Sequence, residues 1–228
     1  MSTYLQLCTY LRREAGVAGT GPDAVTSQTG ELGRLVAWVA MAWNDIQMEH
    51  SNWRWMRATA TVATSTGDNS YASSEFSVTN FGNWIPGTFR CYQTSIGQTD
   101  EQYLYYMDYD QWRDLYDFGA NSATTGRPVH FTIGNDKSIK LGPAPDATGF
   151  TIKGDYQKEP IEMTANSDEP GMPNEYHMAI VWKALMYYGA YESAPEVYQS
   201  AEKEYKRILS KLRLNQLPGM TMAGPLVG

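Results

Sequence analysis

The sequence has few cysteines and few positive charges. Only Cys8 and Cys91 occur among 228 residues, far apart and without a CxxC pair. They provide no disulfide framework, and isolated thiols of this kind are typical of a reducing compartment. Lysine and arginine number 18 against 25 acidic residues, which gives a formal net charge of -7. Because nucleic-acid binding requires neutralisation of phosphates, this balance argues against a protein that grips DNA or RNA.

Long hydrophobic runs are also missing. The longest, Leu35–Trp43, covers nine residues, whereas a helix needs about 20 to cross a bilayer. The first residues contain no basic stretch followed by an apolar one, so they do not resemble an export signal. The sequence therefore predicts no membrane partner and no export.

Motifs that carry chemistry are absent as well. His50, His130 and His177 are scattered, and none lies in an HExxH arrangement. There is no Walker lysine and no GxSxG nucleophile elbow. Neighbouring carboxylates such as Glu159 and Glu162 are a common solvated pattern rather than a glycosidase pair. We therefore expect no catalytic residues, no cofactor and no metal, and the sequence predicts a protein that is not an enzyme.

Both ends of the chain have apolar residues at helical spacing. A short helix from Tyr4 is predicted to end at the glycine-rich stretch 16–22, and a second helix covers Gly30–Glu49. Two more helices are predicted from about 174 to 194 and from 195 to 216. Ser193-Ala194-Pro195-Glu196 has the pattern of a capping box at the start of the last helix.

The middle of the chain is rich in threonine, valine and turn residues, which favours strands. We predict a hairpin from Thr59–Thr66 and Tyr71–Thr79, and a second strand pair from Pro128–Ile133 and Ser138–Leu141. A further strand is predicted over Phe150–Tyr156 and a short acidic helix over Tyr109–Phe118.

These patterns predict an α+β protein. The economical arrangement is a four-helix bundle from the N- and C-terminal helices with an inserted antiparallel β-rich domain, because amphipathic helices must bury their apolar faces. The predicted bounds are 1–51 for the N-terminal helices, 52–173 for the inserted β-rich domain, 174–216 for the C-terminal helices and 217–228 for an extended arm.

Several short motifs, in their order and spacing, resemble the head-to-tail adaptor proteins of tailed phages, including the tail tubular proteins of short-tailed phages. The motifs are Trp53-Arg54-Trp55-Met56, Gly126-Arg127-Pro128, Leu141-Gly142-Pro143-Ala144-Pro145, Gly154-Asp155-Tyr156, Asp168-Glu169-Pro170-Gly171-Met172-Pro173 and Ala184-Leu185-Met186-Tyr187-Tyr188. The resemblance covers most of the chain.

The resemblance implies a structural virion protein at the head–tail interface, made in the host bacterial cytoplasm. Its expected partners are the portal, neighbouring copies of itself in a ring of about twelve, and a tail or nozzle protein. DNA would pass through the ring without specific binding, since an acidic channel does not hold phosphates.

Candidate interface residues lie at the end of the last helix and in the arm. They are Lys206, Arg207, Lys211, Arg213, Met220, Met222, Leu226 and Val227. An apolar arm is costly to leave exposed, so we expect it to contact the portal or a neighbouring subunit.

Two other functions remain open. One is a tail-completion or nozzle protein of the same virion, which differs only in where it docks. The other is a carbohydrate-binding host-recognition module, in which exposed tryptophans of the β region would form a platform for sugar rings. The aromatics that could line such a face are Trp53, Trp55, Phe81, Trp84 and Tyr103–Tyr109.

Overall fold

The computed structural model describes residues 1–218 and confirms the α+β class. The chain forms two compact units: Met1–Met56 together with the chain from Pro160 onward, and Arg57–Glu159. We call them the helical unit and the sheet unit. The sheet unit is shorter at both ends than the predicted range 52–173. Trp53 and Met172 explain the difference, because both are buried in the core of the helical unit.

The described residues contain five α-helices, α1 to α5 in chain order: Tyr4–Glu14, Gly30–Met48, Tyr109–Trp112, Met178–Tyr191 and Pro195–Gln216. They contain ten strands, β1 to β10: Arg57–Ala63, Ser70–Tyr71, Phe81–Gln93, Gln102–Tyr103, Tyr105–Tyr106, Thr125–Gly126, His130–Ile133, Ile139–Gly142, Ala144–Pro145 and Phe150–Lys158. Within this part of the chain, no helix is both long and apolar enough to span a membrane.

In the helical unit, α1 packs against α2 and α4, and α4 also packs against α2 and α5. The apolar faces that the sequence predicts are buried in one core, which includes Leu7, Leu35, Ile180 and Leu209. Gly189 allows α4 and α5 to approach closely, because a Cβ atom there would lie 2.9 Å from the backbone nitrogen of Tyr198.

The first and last helices, α1 and α5, are capped differently at their N-termini. Thr3 and Gln6 form a reciprocal capping box at the start of α1. The capping box predicted from Ser193 to Glu196 is wrong: Ser193 has a φ of +53°, and Ala194 is the N-cap of α5 without a side-chain hydrogen bond. Pro195 does occupy the first turn, as predicted.

The sheet unit contains two four-stranded sheets and a short strand pair. The first sheet has the order β1-β10-β3-β4, the second β2-β8-β7-β5, and β6 pairs with β9. The predicted hairpin from Thr59–Thr66 and Tyr71–Thr79 is wrong, because β1 pairs with β10 and β2 pairs with β8 in the other sheet. The buried Tyr71 closes the loop before β2, since its hydroxyl donates to the backbone oxygen of Asp68 at 2.9 Å.

The β7–β8 pair and β10 confirm the other predicted strands, and most pairings are antiparallel. Two short pairings, β5 with β7 and β6 with β9, are parallel. The predicted acidic helix is shorter than expected: α3 has four residues and continues as a π-helical turn over Arg113–Asp117.

Strand β3, with 13 residues the longest, was not predicted. Its register with β10 shifts between Lys153 and Asp155, so Gly154 lies at an irregularity. A Cβ atom on Gly154 would lie 2.6 Å from the buried ring of Phe89, which shows that this position requires glycine. The two strands therefore pack through a specific ring-on-glycine contact.

Candidate functional site

Of the four cationic side chains predicted at an interface, three are engaged within the chain. Lys206 pairs with Glu202 at 2.8 Å and Arg207 with Glu204 at 2.8 Å, both along α5. Arg213 pairs with Glu49, at the end of α2. Lys211 is exposed and forms no ion pair within residues 1–218. Lys211 is therefore the candidate cation with a charge left to offer a partner.

Glu49 and Asp45 tie α2 to the C-terminal helices. The Glu49 carboxylate accepts hydrogen bonds from Tyr205 at 2.9 Å and from Arg213. One turn earlier, Asp45 accepts from the Tyr187 hydroxyl and pairs with Lys183 at 3.4 Å. Burial raises the pKa of both tyrosines, and the neighbouring carboxylates raise it further. Arg213 thus serves the packing of α5 rather than a free surface.

A groove lies between the start of α4 and the second half of α5. It has a volume of about 590 Å³ and is lined by Glu175, Tyr176, Met178, Trp182, Arg207, Ile208 and Lys211. We call it the α4–α5 groove. Trp182 is half-buried there, and the described structure gives its indole no hydrogen-bond partner. Apolar side chains, two cations and the carboxylate of Glu175 thus meet at one concave surface.

The candidate interface residues predicted from the sequence do not include Trp182. It lies beside the buried face of α4, which includes Ile180, Val181 and Ala184. A tryptophan beside an otherwise continuous apolar face is the available signal, because a large aromatic next to a core face is typical of interfaces.

In the sheet unit, three tyrosines are exposed at sheet edges. Tyr103 on β4 is 57% exposed, and Tyr105 and Tyr106 on β5 are 62% and 51% exposed. β4 is the edge of one four-stranded sheet and β5 the edge of the other. Between them, the buried Leu104 donates its backbone N–H to Phe89. We call Tyr103, Tyr105 and Tyr106 the tyrosine edge.

Carboxylates flank the tyrosine edge in the sequence. Glu101 precedes it, and Asp108, Asp110 and Asp114 follow it; all four are exposed and form no ion pair in the part of the chain that the structure describes. Asp117 pairs only with Arg113, at 3.9 Å. Arg90 lies over the Tyr103 ring, 3.1 Å from its centroid, so the tyrosine edge has one cation against Tyr103 and exposed carboxylates on the residues before and after it.

The tryptophans of the sheet unit do not form a sugar-binding platform. Trp84 is 6% exposed, and its indole N–H donates to the backbone oxygen of Lys137 at 2.7 Å. Trp112 is 1% exposed. Trp53 and Trp55, also considered for this role, stack on each other in the helical unit with centroids 4.2 Å apart. The tryptophans therefore give the carbohydrate hypothesis no platform, and its exposed candidates are the tyrosines of the tyrosine edge.

The histidines and cysteines lie apart from one another. Within residues 1–218, no group of three or more histidine, cysteine or acidic side chains is placed to hold a metal ion. Cys8 and Cys91 are free and buried. Burial raises the pKa of the Cys8 thiol to about 12 and that of Cys91 to about 11. Neither thiol is poised as a nucleophile, because the thiolate is the reactive form.

His177 has a structural role at the start of α4. Its Nε2 donates to the backbone oxygen of Met172 at 3.0 Å, and its Nδ1 accepts from the backbone N–H of Ser2 at 3.3 Å. Burial lowers the pKa of His177. The neutral ring therefore joins the N-terminus to the loop before α4.

The motif Gly154-Asp155-Tyr156 fixes strand β10. The Asp155 carboxylate accepts from the Thr59 hydroxyl at 2.7 Å, across the β1–β10 pairing. The Tyr156 hydroxyl accepts from the backbone N–H of Thr79 at 2.9 Å. Since these contacts are internal, this motif marks the fold rather than a binding surface.

Arg127, from the motif Gly126-Arg127-Pro128, joins three segments of the sheet unit. It donates to the Asp100 carboxylate at 2.8 Å and to the backbone oxygen of Cys91 at 3.0 Å. The backbone N–H of Gln93 and the Arg127 guanidinium hold the pKa of Asp100 below its usual range.

Asp168 plays a similar part in the helical unit. Its carboxylate accepts from the backbone N–H groups of Thr164 and Ala165, at 2.6 and 2.8 Å. Its backbone oxygen accepts from Tyr4 at 2.7 Å, at the first turn of α1. The loop that was predicted to close the β-rich domain is therefore part of the helical unit.

The predicted arm residues Met220, Met222, Leu226 and Val227 lie outside the described residues.

A search of curated proteins finds no match. The family model described as SU10 adaptor protein matches residues 2–226, so the chain belongs to the SU10 adaptor protein family, which confirms its resemblance to the head-to-tail adaptors of tailed phages.

Proposed function

We propose that this protein is a non-enzymatic, ring-forming head-to-tail adaptor that binds the portal and provides the platform on which the tail or nozzle protein docks. The observation that carries the proposal is the family match over residues 2–226. As a member of this family, the chain is a structural adaptor of a phage particle. We place it at the head–tail interface, after synthesis in the host cytoplasm.

The proposed ring contains about twelve copies, since adaptors of this kind close by rotational symmetry. The helices α1, α2, α4 and α5 form the proposed four-helix bundle of each copy, and the sheet unit is the inserted domain. The net charge of -7 suits a DNA channel, because negative walls repel phosphates and let the duplex slide.

Portal contact is assigned to the end of α5 and the arm, residues 217–228. The apolar arm residues Met220, Met222, Leu226 and Val227 support this assignment, because an apolar arm is costly to leave exposed. Removal of Met220–Gly228 is expected to weaken portal binding. Unchanged binding after that deletion would contradict the role of the arm.

The test is to mix the purified chain with the portal of the same phage and to measure mass and symmetry by native mass spectrometry and electron microscopy. The expected product is a portal-bound ring. A chain that ignores the portal would contradict the adaptor function, and a ring that binds at the far end of the tail would favour the nozzle position instead. Glycan binding by the isolated chain would favour the carbohydrate hypothesis.

A further inference from the structure

The tyrosine edge has the properties of a surface that another chain covers. Tyr103, Tyr105 and Tyr106 are each more than half exposed. Tyrosine is enriched at protein interfaces, where its ring buries a large area and its hydroxyl remains able to form a hydrogen bond. The tyrosines also lie on the outermost strands of two sheets, and such edges offer unpaired backbone groups to a partner.

The α4–α5 groove has the complementary chemistry. Met178, Trp182 and Ile208 give it an apolar lining. Its volume of about 590 Å³ lies within the range of pockets that enclose large organic groups. Tryptophan in a concave site is the residue type that most often dominates binding energy at interfaces. An aromatic segment fits this lining better than a polar one.

The charges of the two surfaces also match. Lys211 and Arg207 lie at the groove, and Lys211 forms no ion pair within the described residues. Asp108 and Asp110 follow the tyrosine edge and are likewise unpaired. Opposite charges favour one relative orientation of two docking surfaces. Cations also bind favourably over tyrosine rings.

We infer that the tyrosine edge of one copy docks into the α4–α5 groove of the next copy. The contact joins two different surfaces, so it is heterologous, and contacts of this type close into a ring when the rotation between copies allows it. The inference rests on the proposed ring function and names the surfaces that build the ring. It leaves the arm free to contact the portal.

A second copy is favoured over other occupants because both halves of the contact occur on the same chain. The groove combines apolar groups with two cations and Glu175, and the tyrosine edge combines aromatic rings with the exposed carboxylates of Asp108 and Asp110 and with Arg90 over Tyr103. A glycan would also stack on the tyrosines and donate hydroxyl hydrogen bonds to the carboxylates, but it would leave the apolar, cation-bearing groove of the same chain without an occupant.

The test is self-association of the full chain, measured by analytical ultracentrifugation over a concentration series and by native mass spectrometry of the portal-bound ring. Lys211→Glu and Asp110→Lys are each expected to reduce the association constant by about tenfold or more, because each places like charges in the contact. An equimolar mixture of the two variants is expected to associate again, since every contact then has matching charges.

Lys203→Glu is the matched control. Lys203 is also exposed on α5 and without an ion pair in the described structure, but it does not line the groove. It is expected to leave association unchanged, and circular dichroism is expected to show that all three variants fold. Rings that form normally from Lys211→Glu and Asp110→Lys would overturn this interface while the adaptor function stands. A wild type that forms no ring on the portal would overturn the adaptor function itself, and this interface with it.

Discussion

The hydroxyl of Tyr205 on α5 donates a hydrogen bond to Oε2 of Glu49, just beyond the end of α2, at 2.9 Å. Arg213 binds the other oxygen of the same carboxylate. One carboxylate thus holds two positions of α5 against α2, within the helical unit. The consequence is that the end of α5 is fixed by its packing before any partner binds.

Replacement of Tyr205 by phenylalanine is expected to lower the free energy of unfolding by about 1–2 kcal/mol, because a mostly buried hydrogen bond to a charged acceptor is lost. Tyr198→Phe is the control, since the structure gives that hydroxyl no hydrogen-bond partner within the described residues. Urea unfolding followed by circular dichroism would measure both. An equal loss in the two variants would contradict the role of Glu49.

Arg213→Ala and Lys211→Ala should affect the protein differently. Arg213→Ala removes the Glu49 ion pair and is expected to lower the melting temperature, whereas Lys211→Ala removes no ion pair and is expected to leave it unchanged. Differential scanning calorimetry would distinguish them. If Lys211→Ala were the more destabilising change, Lys211 would have an internal partner and would not be a free interface cation.

Gly154→Ala is expected to destabilise the sheet unit by about 1–3 kcal/mol, because the added methyl group meets the ring of Phe89 in a packed core. Gly87→Ala is the matched control: Gly87 lies on the paired strand β3, and an added Cβ has no atom within 4 Å. Chemical denaturation would compare the two. Similar stabilities would show that the strands can move apart at Gly154.

The buried His177 is expected to make the helical unit less stable at mildly acidic pH. Its pKa is lowered in the fold, so the unfolded chain takes up a proton at a higher pH than the folded chain does. The stabilisation is complete above the ordinary histidine pKa of about 6.5 and is lost as the pH falls from there towards the lower pKa of the folded state. Melting temperatures measured between pH 7.5 and 5 should fall less for His177→Gln than for the wild type, from a lower starting value.

The two thiols are expected to be unreactive in the folded protein. Cys8 and Cys91 are buried, and their pKa values are raised to about 12 and about 11, so the thiolate is scarce at pH 8. A colorimetric thiol reagent should therefore detect no fast-reacting group until denaturant is added, and two groups afterwards. Rapid reaction of the native chain would show that one of these cores opens readily.

Helical spacing was sufficient to predict α1, α2, α4 and α5, because each helix buries one continuous face. Strand patterns gave the positions of β1 and β10 but not their partners. Alternation shows which faces of a strand are buried, and says nothing about which strand lies beside it. The predicted hairpin failed for this reason. Pro86 and Gly87 concealed β3, since both residues are uncommon within strands.

The candidate interface was predictable only in part. Glu202 precedes Lys206 by four residues, a spacing that predicts an ion pair along one helix. The pairing of Arg213 with Glu49 joins residues far apart in sequence and depends on how α2 and α5 pack. The α4–α5 groove likewise exists only once two helices are placed together. The exposed tyrosines were visible as a cluster, but their position at two sheet edges was not.

The helical unit is built from two stretches of chain with the whole sheet unit between them. During synthesis, α1 and α2 leave the ribosome before the sheet unit, and the helices α4 and α5 that cover their apolar faces are made after it. The sheet unit is continuous in sequence and can fold as soon as it has emerged, since domains generally fold as units. Until α4 and α5 have been made, the apolar faces of α1 and α2 that include Leu7 and Leu35 cannot pack against them. The order of synthesis thus makes the N-terminal helices the part of the nascent chain most in need of protection from aggregation.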